Sequence, residues 1–191
     1  MYIRIKKRYL NLEKDYVARV KEALLKVYEE IVNIKDCGLV TSAYILASCL
    51  IDYLAGYRYC TERESTRNDY IMFVNKYLNR YNGKNLYELL RCRLIHNYSE
   101  GGNYLLVHNQ SQLHLDKCND KSKPYYNKKT YINLENFILE IKESMDKFFC
   151  EIDNNEQLQE EVKRRVIKFS ILEPYNIEES YSTITFGSTS I

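Results

Sequence analysis

The chain has no tryptophan, only two prolines and only six glycines in 191 residues. So few turn-forming residues exclude an all-β sandwich and any collagen-like architecture, because short strands need frequent Gly- and Pro-bearing turns. The apolar fraction of 45% is too high for extensive disorder. No long apolar run is present: the longest, Ala43 to Ile51, is halted by Asp52 and is about half of the roughly 20 residues a membrane span needs. The N-terminal MYIRIKKRYL is basic but lacks an apolar h-region and a small-residue cleavage site, so no secretory signal is expected. No Cys-x-x-Cys pair occurs among Cys37, Cys49, Cys60, Cys92, Cys118 and Cys150. This dispersal predicts buried, reduced thiols in a cytoplasmic protein rather than disulfides or a zinc site. Glycine-rich phosphate loops, His-Glu-x-x-His and Gly-x-Ser-x-Gly are likewise missing, which removes the common nucleotide-binding and hydrolase signatures.

What is abundant is tyrosine, 19 residues against six phenylalanines; the core and its rim must therefore hold rings whose hydroxyls need partners. The formal charge of +2 hides an asymmetry, with residues 1–100 carrying +5 and residues 101–191 carrying −3. Within the acidic half, Lys117 to Lys129 packs five lysines together with Tyr125 and Tyr126.

Helical periodicity dominates. Tyr16, Val17, Val20, Ala23, Leu24, Val27, Tyr28, Ile31 and Ile34 recur at three- and four-residue steps over Glu13 to Cys37, with Gly38 placed to close the helix. Leu39 to about Tyr59 is apolar on nearly every side, as the central helix of a bundle is. Ser65 or Thr66 is a candidate cap for a third helix running to about Tyr81, and Asn82-Gly83 then breaks the pattern. A fourth helix starts near Lys84 and ends by Ser99. Tyr104 to Asn109 and Leu113 to Asp116, around a Gln-Ser-Gln turn, predict a small β-hairpin. Further helices are expected at about Asn133 to Glu151 and Glu156 to Phe169, followed by Pro174 and a terminal edge strand or loose tail over 171–191. The expected fold is all-α: one domain over 1–191, core about 13–170, built as a five- to six-helix up-and-down bundle with a minor hairpin after the motif helix.

The segment Leu86 to Gly102 carries the chemistry. Arg91 and His96 stand five residues apart, followed by Asn97 and Tyr98. Five residues of a straight α-helix turn through about 500°, so the two side chains point about 140° apart. They meet only where the helix departs from regularity or a second copy lies alongside. Metal-independent cleavage of RNA needs a base for the 2′-hydroxyl, an acid for the 5′-oxygen and a fixed cation for the developing charge. His96 suits either proton role and Arg91 the cation. Asn97 and Tyr98 are candidates to orient the phosphate, and Glu88, one turn before Arg91, to hold its guanidinium. The plainer alternative is an Arg91–Glu88 pair on a solvated face, with His96 merely ending the helix. Both motif residues are expected beside a solvated cleft, where substitution costs little stability.

The arrangement Arg91-Cys-Arg-Leu-Ile-His96 on a late helix of a bundle, preceded by Leu-Tyr-Glu-Leu-Leu and followed by a polar turn, resembles the HEPN superfamily, whose members are helical bundles marked by R-x(4 to 6)-H. The resemblance implies a metal-independent endoribonuclease leaving 2′,3′-cyclic phosphate ends. It further implies a site composite across a homodimer, no cofactor, and a role as toxin or antiviral effector, with a cognate antitoxin as partner in the toxin case. The position after the arginine, often Asn, Asp or His in that family, is Cys92 here. Arg93 and the loop residues Lys123, Tyr125, Tyr126, Lys128 and Lys129 are candidate RNA contacts, with lysines tracking phosphates and rings stacking on bases; a solvated turn is the alternative for the loop. His108 and His114 are read as ordinary polar positions, with a metal or auxiliary role open. A non-catalytic dimeric binding or scaffold module is the second functional class, and a DNA-binding regulator, without a helix-turn-helix signature, the third.

Overall fold

A computed structural model describes residues 16–97, 103–119, 122 and 127–169. Six helices dominate. α1 (Tyr16–Asp36) buries Val20, Ala23, Leu24 and Ile31. Gly38, at φ +78°, ends it: its N–H bonds the Lys35 carbonyl at 2.9 Å and the Leu39 N–H reaches back to Ile34 at 3.1 Å, the Schellman closure that a left-handed glycine permits.

α2 (Val40–Tyr59) is the core helix, burying Ala43, Tyr44, Ala47, Leu50, Ile51, Leu54, Ala55 and Tyr57. By length and composition alone it passes for a membrane span, but most of that window is buried within the bundle. Its C-terminal end is held by Arg165, whose guanidinium donates to the carbonyls of Cys60 and Arg63. α3 (Arg67–Tyr77) starts from Thr66, whose N–H donates to Asp69 Oδ2 at 2.8 Å while Arg63 grips the same carboxylate with two bonds. These bonds, Arg63's above all, hold the Asp69 carboxyl well below the usual carboxylate range. α3 stops at Tyr77, one turn short of the expected end.

The fourth helix is irregular. It opens as α-helix over Gly83–Asn85, widens into a π-helix over Leu86–Arg91 and returns to α-helix over Cys92–Asn97; we call the whole run α4. Asn82 caps it, accepting from the Asn85 N–H at 2.9 Å. α5 (Leu134–Asp153) and α6 (Glu156–Phe169) complete the bundle. α5 contributes Phe137, Ile141, Met145 and Phe148, and Phe148 stacks edge-on against Phe73 and Tyr77 of α3.

The expected hairpin is replaced by a different pairing. β1 (Tyr104–Val107) runs parallel to β2 (Thr130–Asn133), in the register Tyr104 opposite Thr130 to Val107 opposite Asn133. Ser111–Leu113 is a 3-10 turn. The chain at 115–118 lies antiparallel along β2, with Leu115 N–H bonded to the Tyr131 carbonyl and Tyr131 N–H to that of Asp116, both at 2.9 Å. Local alternation identifies strand-like segments but not their partners, and here Tyr131 and Ile132 offer a better-packed edge than a neighbour six residues away. Tyr44 anchors the sheet on α2: its hydroxyl lies 2.8 Å from the Val107 carbonyl and 2.5 Å from that of Ile132.

All six cysteines are free. Cys60 and Cys118 are buried as expected, whereas Cys37 and Cys150 are exposed and Cys49 and Cys92 half-buried; the expectation of buried thiols holds for only part of the set. The N-terminal turn expected from Glu13 and the tail 171–191 lie outside the described residues.

Gly83 tests how α3 and α4 are packed. A Cβ there would sit 2.8 Å from the Ile71 carbonyl oxygen and 2.9 Å from Asn75 Oδ1. Helix propensity alone favours Gly83→Ala by about 1 kcal/mol. The backbone clash reverses the sign, and a net loss of about 1–3 kcal/mol is expected in urea unfolding. A second measurement concerns pH. Because Asp69 titrates below its unfolded value, its stabilisation is fully present above the ordinary carboxylate pKa and is lost as pH falls through the acid range. Asp69→Asn should therefore flatten the acid side of the stability profile.

Candidate functional site

Arg91 closes the π-helical stretch, where the Cys92 N–H bonds back five residues to the Tyr87 carbonyl. Such a stretch widens the helix and re-aims the side chains that follow, and it recurs at functional sites. Arg91 turns onto α2. Its Nε and Nη2 lie 2.8 and 2.7 Å from Oδ2 of Asp52, and the guanidinium sits 5.3 Å from the Tyr87 ring centroid. Glu88, expected to hold the guanidinium, pairs instead with Arg67 of α3. The wider π-turn breaks the three-residue adjacency on which that expectation rests.

Asp52 escaped sequence reasoning, although it is the residue that interrupts the apolar run of α2. It is half-buried together with Arg91. Burial pushes its carboxyl above the ordinary value, against the opposing pull of the Arg91 charge and hydrogen bond. Around the pair stand Cys49, its thiol also pushed up by burial, and Tyr70 of α3, fully buried and edge-on to Tyr87 at 5.2 Å. The Tyr70 hydroxyl has no hydrogen-bond partner among the described residues, and burial first, the Asp52 charge second, raises its pKa well above that of a free phenol. Cys92, the position that departs from the HEPN pattern, is half-buried directly after the motif arginine.

His96 is exposed on the α-helical end of α4, as is Arg93. The structure therefore places Arg91 against α2 and His96 towards solvent, and the two share no bond. Asn97 ends the helix. Its side chain, together with Tyr98, Lys123, Tyr125 and Tyr126, lies outside the described residues. Lys128 is exposed and Lys129 half-buried; they stand at the base of the lysine-tyrosine loop, which backbone bonds from Cys118 to Lys128 and Lys129 close at 3.0 and 2.8 Å.

The other two histidines have acidic partners that sequence separation hid. His108 Nδ1 lies 2.5 Å from Glu135 Oε1. His114 is buried: its Nδ1 accepts from the Asn133 N–H at 3.0 Å, while Nε2 lies 3.0 Å from the Tyr81 hydroxyl and 3.3 Å from Glu140 Oε2. Tyr81 donates to Glu140 and Arg80 pairs with it. Although burial raises the Glu140 carboxyl, the bonds from His114 and Tyr81 and the charge of Arg80 hold it below its ordinary value. Every polar atom named in this cluster has a partner, the condition under which a buried polar network fixes geometry. His114 thus pins the β-segment to α5. Among the described residues no three His, Cys, Asp or Glu side chains converge as metal ligands do.

Comparison with protein-family models, with curated proteins and with solved structures finds no match to this chain.

The geometry separates the two motif residues in stability. His96→Ala removes an exposed side chain and should cost less than about 0.5 kcal/mol. Arg91→Ala leaves Asp52 half-buried without its partner and should cost about 1–3 kcal/mol, more than a residue on a solvated cleft would. Equal losses in chemical denaturation would contradict this placement of the arginine.

Proposed function

We propose that the protein is a metal-independent endoribonuclease in which Arg91 stabilises the charge developing on the scissile phosphate and His96 carries a proton. The observation that supports this reading best is the fixing of the Arg91 guanidinium by Asp52 and Tyr87. Preorganised charge is what a phosphorane-like transition state rewards. The exposed imidazole five residues further on supplies a side chain able to give or take a proton.

The same reading takes the active form to be a homodimer. Ile45, Cys49 and Asp52 form one stripe of α2, with Tyr53 beside it and Leu46 exposed at its edge. This only partly covered face runs alongside the motif helix, which carries Ile95, and a two-fold contact there would bring two copies of the motif together. Arg93, Lys128 and Lys129, with the loop residues Lys123, Tyr125 and Tyr126, are taken as RNA contacts. A toxin or antiviral role and a cognate antitoxin rest on the HEPN resemblance alone.

A second reading, a dimeric binding or scaffold module without catalysis, draws on the same ion pair, since Asp52 already neutralises much of the Arg91 charge. Activity decides between them. Purified protein in EDTA should cut single-stranded RNA and leave 2′,3′-cyclic phosphate ends. His96→Ala should lower the rate at least about 10²-fold, and Arg91→Ala by a similar factor. If wild type and both folded variants leave several RNAs equally intact, the binding module is the better account.

A further inference from the structure

His96 stands towards solvent while Arg91 is turned onto α2, so the proton role beside the arginine calls for a group other than the imidazole of the same motif. The structure places a second titratable group in contact with the motif arginine. We propose that Asp52 is the general base of the reaction, taking the 2′-hydroxyl proton, with His96 as the general acid. This inference rests on the ribonuclease reading and adds to it a residue from α2, so that the motif helix does not have to provide both proton roles.

The geometry of the pair carries the argument. Arg91 directs both Nε and Nη2 to one oxygen of Asp52, Oδ2. Among the described residues the other oxygen, Oδ1, accepts no hydrogen bond, although the carboxylate is only half-buried and stands on the α2 stripe that faces outward. A carboxylate serving only to hold an arginine is better placed with both oxygens engaged, as Asp69 is with Arg63. Here one oxygen is held and the other is left over. Nη1 of Arg91 makes no bond to Asp52, so the guanidinium can bridge the base and a phosphate.

In the step that follows from this arrangement, the 2′-O–H bond breaks with its proton passing to Oδ1 while the 2′-oxygen bonds to phosphorus. The P–O5′ bond breaks as His96, entering as imidazolium, protonates O5′. The products are a 2′,3′-cyclic phosphate and a 5′-hydroxyl, and no further reactant is consumed. The groups facing Asp52 suit the role. Among the described residues Arg91 on α4 is the one cation, Tyr87 on α4 and Tyr70 on α3 are phenols raised above their usual range, and Cys49 on α2 is a thiol raised likewise. Of these neighbours only Arg91 carries charge near neutral pH. Burial, the largest influence on Asp52, brings its pKa upward, in the direction that makes a carboxylate a better base.

The test uses the full chain with two substrates in EDTA: a single-stranded RNA, and uridine 3′-(4-nitrophenyl phosphate), whose leaving group departs without an acid. Asp52→Asn should lose at least about 10²-fold in kcat on both substrates, with partial return in Asp52→Glu, whereas His96→Ala should be impaired on RNA and near wild type on the nitrophenyl ester. Wild-type activity should fall as pH drops through a carboxylate titration above the ordinary aspartate value, and His96→Ala acting on the nitrophenyl ester should keep that acid limb. These two profiles need no Asp52 variant to fold. An Asp52→Asn enzyme with wild-type kcat, a loss confined to KM, or a wild-type profile without an acid limb would overturn the assignment while leaving the ribonuclease reading in place. Wild type inert on both substrates would overturn the ribonuclease reading, and this inference with it.

Discussion

The contact on which the site depends is the ion pair between Arg91 and Asp52. It crosses from the irregular fourth helix to the core helix of the bundle, and both members are half-buried. A charge in that setting must be matched, because removing one partner leaves the other desolvated and uncompensated. The π-helical stretch over Leu86–Arg91 is the backbone side of the same constraint. It breaks the three-residue adjacency of Glu88 and Arg91, sends Glu88 to Arg67 on α3 and leaves Arg91 for α2. A regular helix would have kept the pair on one solvated face.

The remainder of the fold keeps this arrangement rigid. Thr66 and Asp69 with Arg63 fix the start of α3, Asn82 fixes the start of α4, and Arg165 closes the end of α2 by donating to the Cys60 carbonyl that caps it. The small parallel sheet is tied in by two buried polar groups, the Tyr44 hydroxyl from α2 and the His114 ring between Tyr81, Asn133 and Glu140. The tyrosine-rich composition has its explanation here. Tyr44, Tyr77 and Tyr81 are core rings whose hydroxyls bond across elements, so each contributes apolar area and a directional link at once.

Most of the helical frame was legible from sequence, because a 3.6-residue apolar period is a local signal. α1, α2, α5 and α6 fall close to where Val20 to Ile31, Ala43 to Leu54, Phe137 to Phe148 and Leu158 to Val166 place them, and Gly38 closes α1 as its position implies. What was not legible is non-local. The strand partner of β1 lies 26 residues on, and neither alternation nor turn chemistry points to it. The π-turn has no residue signature, so the Glu88 role followed from ideal helix geometry that α4 does not have. Asp52 looked like the residue that merely ends an apolar run. One polar side chain in the middle of the most buried helix was the signal available, and it called for a partner of opposite charge. His108 and His114 read as ordinary polar positions because their acidic partners, Glu135 and Glu140, are more than 25 residues away in the chain.

The most direct test of the account is a double-mutant cycle on stability with Asp52→Asn, Arg91→Gln and the pair combined. Because the two residues are taken to compensate each other in a half-buried site, the double variant should be more stable than the sum of the single losses implies, by a coupling energy of about 1–2 kcal/mol. Strictly additive losses would mean that Arg91 and Asp52 do not form the pair from which the site is built.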